Sequence, residues 1–453
     1  MKEDTIAAIS TPSGEGGIGV IRISGNKAIE IADSIFKGFS GKKIAGISGY
    51  TALYGGIYND ETKIDEAVAL LFRAPKSYTG EDVVELSLHG GNYVLKETLR
   101  TIFSLGARPA DGGEFTRRAF SNGKLDLIEA EAVMGIISAN GLKAQRSALS
   151  LLGGAASNKI NIIRENLLTA AAGLAVYSDY PDDELPEFSP ETLNSALEKA
   201  QIQLNELLRS YDAGKILREG VDTVIAGKPN VGKSTLMNLL AGCRRSIVTS
   251  VAGTTRDVVE DSVMLGDILL HLSDTAGLRD TNDEVEKIGV EISKEKIESA
   301  GLIISVFDGS VPYDNQDLEL IKLCKCRPSV AVVNKSDLDQ KFDISVLEGI
   351  PFVVISAENN DSICVLQEVI SQVCGLNQLD GNDIVLGSER QRNCCVSACG
   401  YIEEALNLLS NGYTLDTVGV CIDDAMNELL SLTGERATNA VIDEVFRKFC
   451  VGK

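Results

Sequence analysis

Histidine is almost missing from this sequence: His89 and His271 are the only two in 453 residues. The ten cysteines have no framework spacing. Cys324 and Cys326 flank one lysine, and Cys394 and Cys395 are adjacent. No Cys/His group therefore has the ligand spacing of a zinc site. The thiols read instead as core residues of a protein in a reducing compartment. Positive charge is short as well, with 43 Lys plus Arg against 65 Asp plus Glu and a formal charge of −22. A chain so acidic is poorly suited to grip a nucleic-acid backbone unaided, so a local basic patch or a basic partner would have to carry phosphate contacts. No apolar run has the length of a membrane span, and the charged start Met1-Lys2-Glu3-Asp4-Thr5 leads into no apolar signal region. Internal repeats and low-complexity tracts are absent too. The reading is a cytoplasmic protein of roughly two to four domains, with no membrane span.

What is present is concentrated mid-chain. Gly227-Lys228-Pro229-Asn230-Val231-Gly232-Lys233-Ser234 has the G-x-x-x-x-G-K-[ST] spacing of a phosphate-binding loop. It follows the apolar Val224-Ile225-Ala226 and precedes the helical Thr235-Leu236-Met237-Asn238-Leu239-Leu240. Glycines let backbone N–H groups turn toward an anion, and the helix N-terminus adds its positive dipole end. Lys233 is placed to reach β- and γ-phosphates, and the Ser234 hydroxyl to take one position on Mg2+.

Around this loop the chain changes character. Up to residue 118, strand-like runs alternate with glycine punctuation: 17–24, 67–72 and 83–88 read as strands, and Ala74 to Asp82 as a loop. Helical periodicity takes over near Phe115, with Leu125, Ile128, Ala132, Val133 and Ile136 at helical offsets. The acidic, proline-marked stretch 180–187 reads as a connection, and a long helix over 191–216 leads into the phosphate-loop strand. Strands and helices alternate from 220 to 377, and helices return after Asp380-Gly381 over 395–409 and 422–432. The expected fold is a mixed α+β and α/β multidomain protein. Its α/β module is inserted into a helical domain whose halves lie on either side in sequence.

Three more elements follow the phosphate loop in order. Asp274-Thr275-Ala276-Gly277 ends the strand-like run 268–272, where Asp274 can hold Mg2+ through water and the Gly277 N–H can meet a γ-phosphate. Asn334-Lys335-Ser336-Asp337 ends the run 330–333; a carboxylate at Asp337 accepts from guanine N1–H and the N2 amine, a donor pair adenine lacks. Ser356-Ala357 ends the run 352–355 and offers backbone contact to the guanine oxygen. Together these point to a GTPase. The residue after Gly277 is Leu278, where signalling GTPases carry a water-orienting glutamine, so hydrolysis needs another device. Glu286, or its neighbours Asp283 and Glu284, can orient water, and Asn230 can help to hold a monovalent cation. A solvated acidic helix start and a turn former are the ordinary readings of the same residues.

Motifs from end to end complete the reading. They are Gly16 to Gly25, Tyr78-Thr79-Gly80-Glu81-Asp82, Glu85 to Gly91, Gly113-Glu114-Phe115-Thr116-Arg117-Arg118-Ala119-Phe120, Lys124-Leu125-Asp126-Leu127, Gly253-Thr254-Thr255-Arg256-Asp257 and the terminal Phe449-Cys450-Val451-Gly452-Lys453. In these the chain resembles the MnmE (TrmE) family of tRNA uridine-modification GTPases.

The resemblance implies an N-terminal folate-binding and dimerisation domain over 1–118 and a helical domain in two parts, 119–218 and 379–453. It implies an inserted Ras-like P-loop G domain over 219–378. It implies GTP contacts from Asn230, Val231, Gly232, Lys233, Ser234 and Thr235, and from Thr249, Ser250, Val251, Ala252, Gly253, Thr254 and Thr255. Asn230, Thr249, the Val251 carbonyl and Thr254 would surround K+, and Ser234 and Thr255 would hold Mg2+. Glu286 aligns with the family's catalytic glutamate. Arg22, Glu85, Lys124 and Lys453 would contact a 5-formyl- or methylene-tetrahydrofolate, and Cys450 is implied as a functional thiol, with a packed helix-end cysteine as the other reading. Val451 stands where relatives usually have Ile, and Asn393 where they often have His.

The activity implied is K+-stimulated GTP hydrolysis by a homodimer. With an FAD-containing MnmG (GidA) partner in a hetero-oligomer, it would add an aminomethyl or carboxymethylaminomethyl group at C5 of the tRNA wobble uridine. A ribosome-assembly GTPase switch and a stand-alone folate-dependent transferase are the competing classes.

Overall fold

Alternating burial along the first strands sets the architecture of the N-terminal region. In the computed structural model, which describes residues 4–179, 190–242, 261–273, 300–359, 362–378 and 384–453, the chain divides into two compact units. The first comprises 1–134, 157–198 and 397–453, and the second 135–156 and 199–396.

The first unit is built on a seven-stranded sheet of order β3-β4-β5-β6-β2-β1-β7. Its strands are β1 (Ile6–Ile9), β2 (Gly16–Ser24), β3 (Phe36–Gly38), β4 (Thr51–Asn59), β5 (Thr62–Phe72), β6 (Val83–Gly90) and β7 (Arg108–Pro109). Ile21 and Ile23 of β2, with Leu86 and Leu88 of β6, enter a core shared with α1 (Ala28–Ile35) and α2 (Asn92–Ser104). A period of two then puts Arg22 and Glu85 on the opposite face, paired in the β2–β6 register. On that face Phe115 of α3 (Glu114–Ser121) packs with Ile6, Ala8, Ala110 and Tyr78. Phe446 of α13 (Asn439–Arg447) and Phe449 cluster with Leu127 and Ala130 of α4 (Leu127–Ser138). The last residues return to the sheet region, where Val451 bridges Gly112.

The second unit holds a six-stranded sheet of order β13-β12-β11-β8-β10-β9. β8 is Val221–Ala226, β9 Asp261–Leu265, β10 Ile268–Ser273, β11 Leu302–Asp308, β12 Ser329–Asn334 and β13 Phe352–Val354. All pairs are parallel except β9 with β10. β12 is buried along its whole length, because helices cover both faces of a parallel sheet. Leu236 and Leu240 of α8 (Lys233–Ala241) and Leu366 and Ile370 of α10 (Ser362–Val373) pack one face with Val330 and Val332. Ile321 and Cys324 of α9 (Asn315–Cys324) pack the other with Ala331 and Val333.

The expected long helices are present. Among them α6 is Ala155–Asp179, α7 Pro190–Glu219, α11 Glu389–Ser410 and α12 Leu415–Thr433, alongside α5 at Leu142–Leu152. The proline-marked stretch 180–187 lies outside the described residues. Among the described residues no helix is long and apolar enough to cross a membrane, and no His/Cys/Asp/Glu group could hold a metal ion.

Candidate functional site

In the second unit the chain runs from β8 to β10 on one side and to β11 on the other, so the strand order reverses beside the C-terminal end of β8. Open parallel sheets place their ligands at such a reversal. The 227–234 loop begins there and runs into α8. Its glycines are needed where they stand. Gly227 has φ 158° and Gly232 φ 100°; a Cβ on the first would strike the Val306 carbonyl, and one on the second the Asn334 amide. The result is a backbone-lined cradle that a side chain would fill, as a phosphate site requires.

Lys233 lies back over this cradle. Its Nζ donates to the carbonyls of Gly227 (2.7 Å) and Lys228 (2.8 Å). Burial pushes its pKa below the ordinary lysine value, and an anion in the cradle would reverse that. Ser234 is exposed at the first turn of α8, and Asn230 is exposed with φ 62°. Val231 is buried, and Thr235 is half-buried.

The base-side loops join the phosphate loop through Asn334, which is 3% exposed at the end of β12. Its Nδ2 donates to the Val231 carbonyl (2.9 Å), and its Oδ1 accepts from the Ala357 N–H (2.9 Å). Three segments separated by up to 126 positions in sequence thus meet on one amide. The Ala357 N–H, expected on a guanine oxygen, is engaged by Asn334 here. The Ser336 N–H donates to the Ile355 carbonyl (3.1 Å), which sets exposed Asp337 beside half-buried Ser356. Lys335, at φ 64°, reaches Asp308 Oδ2 at 2.5 Å. Burial raises the Asp308 pKa, but hydrogen bonds from Lys335 and Ser310 outweigh it and hold the carboxyl below its usual range.

Sequence reasoning missed Asp308 and also Lys228, whose Nζ lies 2.8 Å from Asp314 Oδ2 and 2.7 Å from Asp317 Oδ2. The only signal for these acids was a D-x-x-D helix start, which the structure forms as a capping box on α9. Thr249 to Thr255, Asp274 to Gly277, Leu278 and Glu286 lie outside the described residues.

A second constellation lies in the first unit. Arg22 donates through Nε to Glu85 Oε1 (2.9 Å), and its guanidinium sits 5.3 Å from the Tyr78 ring centre and 5.5 Å from that of Phe115. Lys124 donates to the Pro75 carbonyl (3.2 Å), on the loop that carries Tyr78. The Lys453 carbonyl accepts from the Phe115 N–H (3.2 Å), and that of Cys450 from the Gly113 N–H (3.2 Å). Arg22, paired with Glu85, thus lies against Tyr78 and Phe115, while Lys124 holds the loop of Tyr78 and the Lys453 backbone reaches Phe115. The Cys450 residue is exposed.

A phosphate loop at the reversal of a parallel sheet, tied through one asparagine to an Asn-Lys-x-Asp loop, places the second unit in the P-loop GTPase class. Over its full length the chain belongs to the MnmE (TrmE) family: the MnmE helical-domain model matches residues 127–450, and the model for the N-terminus of GTP-binding protein TrmE matches 5–124. A tRNA modification GTPase MnmE of Lactococcus lactis subsp. cremoris is 41% identical over 452 residues, covering 99% of this chain and 98% of that one. Those of Clostridioides difficile and Carboxydothermus hydrogenoformans are each 40% identical, over 100% of this chain and 99% and 100% of theirs.

Proposed function

We propose that this chain is a tRNA modification GTPase, which hydrolyses GTP and couples the hydrolysis to one-carbon chemistry at C5 of the wobble uridine. The observation that carries the reading is likeness to MnmE enzymes over essentially the whole chain, not over the nucleotide module alone.

In the nucleotide step, Asp337 accepts from guanine N1–H and N2, and the Ser356-Ala357 backbone offers donors to the guanine oxygen, with the Ala357 N–H shared with Asn334 Oδ1. Lys233 exchanges the carbonyls of Gly227 and Lys228 for β- and γ-phosphate oxygens. Gly232, Ser234 and Thr235 present the N-terminus of α8 to the same phosphates. The cradle and the exposed Ser234 hydroxyl fit Mg2+, with Thr255 and Asp274 as its other holders; the ion supplies charge for the transferring phosphoryl group. Asn230, with Thr249, the Val251 carbonyl and Thr254, would hold K+. Glu286 orients the water that Leu278 cannot.

Arg22, Glu85, Lys124 and Lys453 suit a tetrahydrofolate. A carboxylate accepts from the N–H edge of a pterin, and cations meet the glutamate-tail carboxylates or a formyl oxygen. The half-buried ring of Tyr78, against which the Arg22 guanidinium packs, adds an aromatic surface. In this reading the molecule is a cytoplasmic homodimer with domains 1–118, 119–218, 219–378 and 379–453. An FAD-containing MnmG-type partner supplies the redox chemistry, and Cys450 is a functional thiol.

Exchanging the base tests the nucleotide assignment. Asp337→Asn replaces an acceptor by a group that can donate, so hydrolysis should shift from GTP toward XTP, which bears a carbonyl in place of the N2 amine. Unchanged preference would remove Asp337 from base recognition. Wobble-uridine modification, assayed with GTP, a tetrahydrofolate and an amine source, should require the flavoprotein. Modification without it would overturn the two-component reading.

A further inference from the structure

We propose that Lys228 is a positioning residue of the phosphate loop, clamped to the first turn of α9 so that the loop backbone keeps the course that its phosphate-facing N–H groups and Lys233 need. The inference rests on the reading of 227–234 as a GTP site. Lys228 occupies a variable position of the loop motif, where spacing alone assigns nothing. Its backbone and side chain do different things. The carbonyl receives Lys233 Nζ at 2.8 Å. The ammonium bridges Asp314 Oδ2 (2.8 Å) and Asp317 Oδ2 (2.7 Å).

The two carboxylates are themselves fixed. Asp314 Oδ1 accepts from the N–H groups of Gln316 (2.9 Å) and Asp317 (3.2 Å), and Asp317 Oδ2 accepts from the Asp314 N–H (3.0 Å). The Asp317 side chain is only 4% exposed. Lys228 is thus anchored to a capping box in which Asp317 is buried and exposed Asp314 is tied to backbone N–H groups, and such an anchor transmits position. Burial works against its ammonium, but the hydrogen bonds to Asp314 and Asp317 outweigh it and hold the pKa above the ordinary lysine value.

A direct phosphate ligand is the rival role, and the two differ in sign. If the acids merely sequestered Lys228 from the phosphates, weakening them would free it and tighten nucleotide binding. If they position it, weakening them loosens the loop and binding falls. Loss of loop position removes interactions that the ground and transition states share, so it raises KM and spares kcat.

The test is steady-state GTP hydrolysis by the full chain. Lys228→Met should raise KM about tenfold with kcat within about threefold of wild type. Lys228→Arg, which keeps a cation able to span both carboxylates, should restore KM to within about twofold. Asp314→Asn keeps an effective helix cap but removes one charge from an exposed position. It should raise KM about threefold, and it carries the test if Lys228→Met does not fold. A lower KM in Asp314→Asn, an unchanged KM in Lys228→Met, or an Arg variant as impaired as the Met variant would each overturn the proposal. Absence of GTP hydrolysis in the wild type would instead overturn the nucleotide reading beneath it.

Discussion

Asn334 bears more of the nucleotide site than its place in a four-residue motif suggests. It is buried, and its amide satisfies both the Val231 carbonyl and the Ala357 N–H. Truncating a buried hydrogen-bonding group costs about 1–3 kcal/mol because its partners lose their bonds. Asn334→Ala should therefore weaken GTP binding by about tenfold to a hundredfold, read by titration with a fluorescent GTP analogue, even though the phosphate-loop sequence is untouched. Asp308 makes a pH-dependent contribution. Its folded pKa lies below the ordinary 3.8. The native state therefore binds this proton less readily than the unfolded chain, and the associated stability is present above about pH 4 and lost as pH falls through the lowered value. Urea unfolding of wild type and Asp308→Asn should differ at neutral pH and converge in acid. A gap that persists undiminished well below the lowered value would mean that the Asp308 charge is not its source. The motifs around these residues were legible because phosphate and base recognition need short, local spacings. The Lys228 pairs were not, because their partners lie 86 and 89 positions away and meet only through the adjacency of β8 and β11.

At the scale of elements, burial decides what a sequence discloses. β8 and β12 read directly as apolar runs, since a parallel strand covered on both faces has no polar side to blur it. The hairpin partner β4 escapes such a reading because Gly55 and Gly56 interrupt its apolar residues. The structure shows their purpose at Gly55, where a Cβ would strike the Lys37 carbonyl and the Phe36 ring of the neighbouring edge strand. The C-terminal tail is a further case. α3 has only eight residues and a glycine N-cap without a capping side chain. Its first-turn donor at Phe115 and the Gly113 N–H are satisfied by the carbonyls of Lys453 and Cys450. A cap of this kind contributes about 0.5–2 kcal/mol. Deleting residues 450–453 should accelerate amide hydrogen exchange in α3 and weaken the proposed tetrahydrofolate binding, because Phe115 flanks Arg22. Cys450→Ser leaves the carbonyls in place and should leave that exchange unchanged. Together the two variants separate the tail's backbone role from any thiol chemistry, and unaltered exchange after the deletion would remove the capping role.

For the whole molecule, charge sets how the proposed work is divided. The chain carries −22, whereas a tRNA substrate is a polyanion whose binding is driven largely by release of counterions to cationic side chains. Several cations of the first unit are committed: Arg22 to Glu85, Arg108 to Asp4 and Glu114, and Arg118 to Asp4, Glu81 and Glu114. In the nucleotide unit Lys228 and Lys335 are likewise bound to carboxylates. Phosphate neutralisation by such groups would first break these pairs, so the net gain from each contact is small. A partner richer in unpaired cations has no such cost. The expected outcome is that the chain alone binds tRNA weakly, with a shallow dependence of log affinity on log salt concentration. The complex with the flavoprotein should bind tighter with a steeper slope, each added phosphate contact increasing the slope by about 0.9 for duplex regions or about 0.7 for single strands. Filter binding across a salt series reads both numbers. Equal slopes with and without the partner would place the tRNA grip on this acidic chain and so require a basic surface on it to do the work now assigned to the partner.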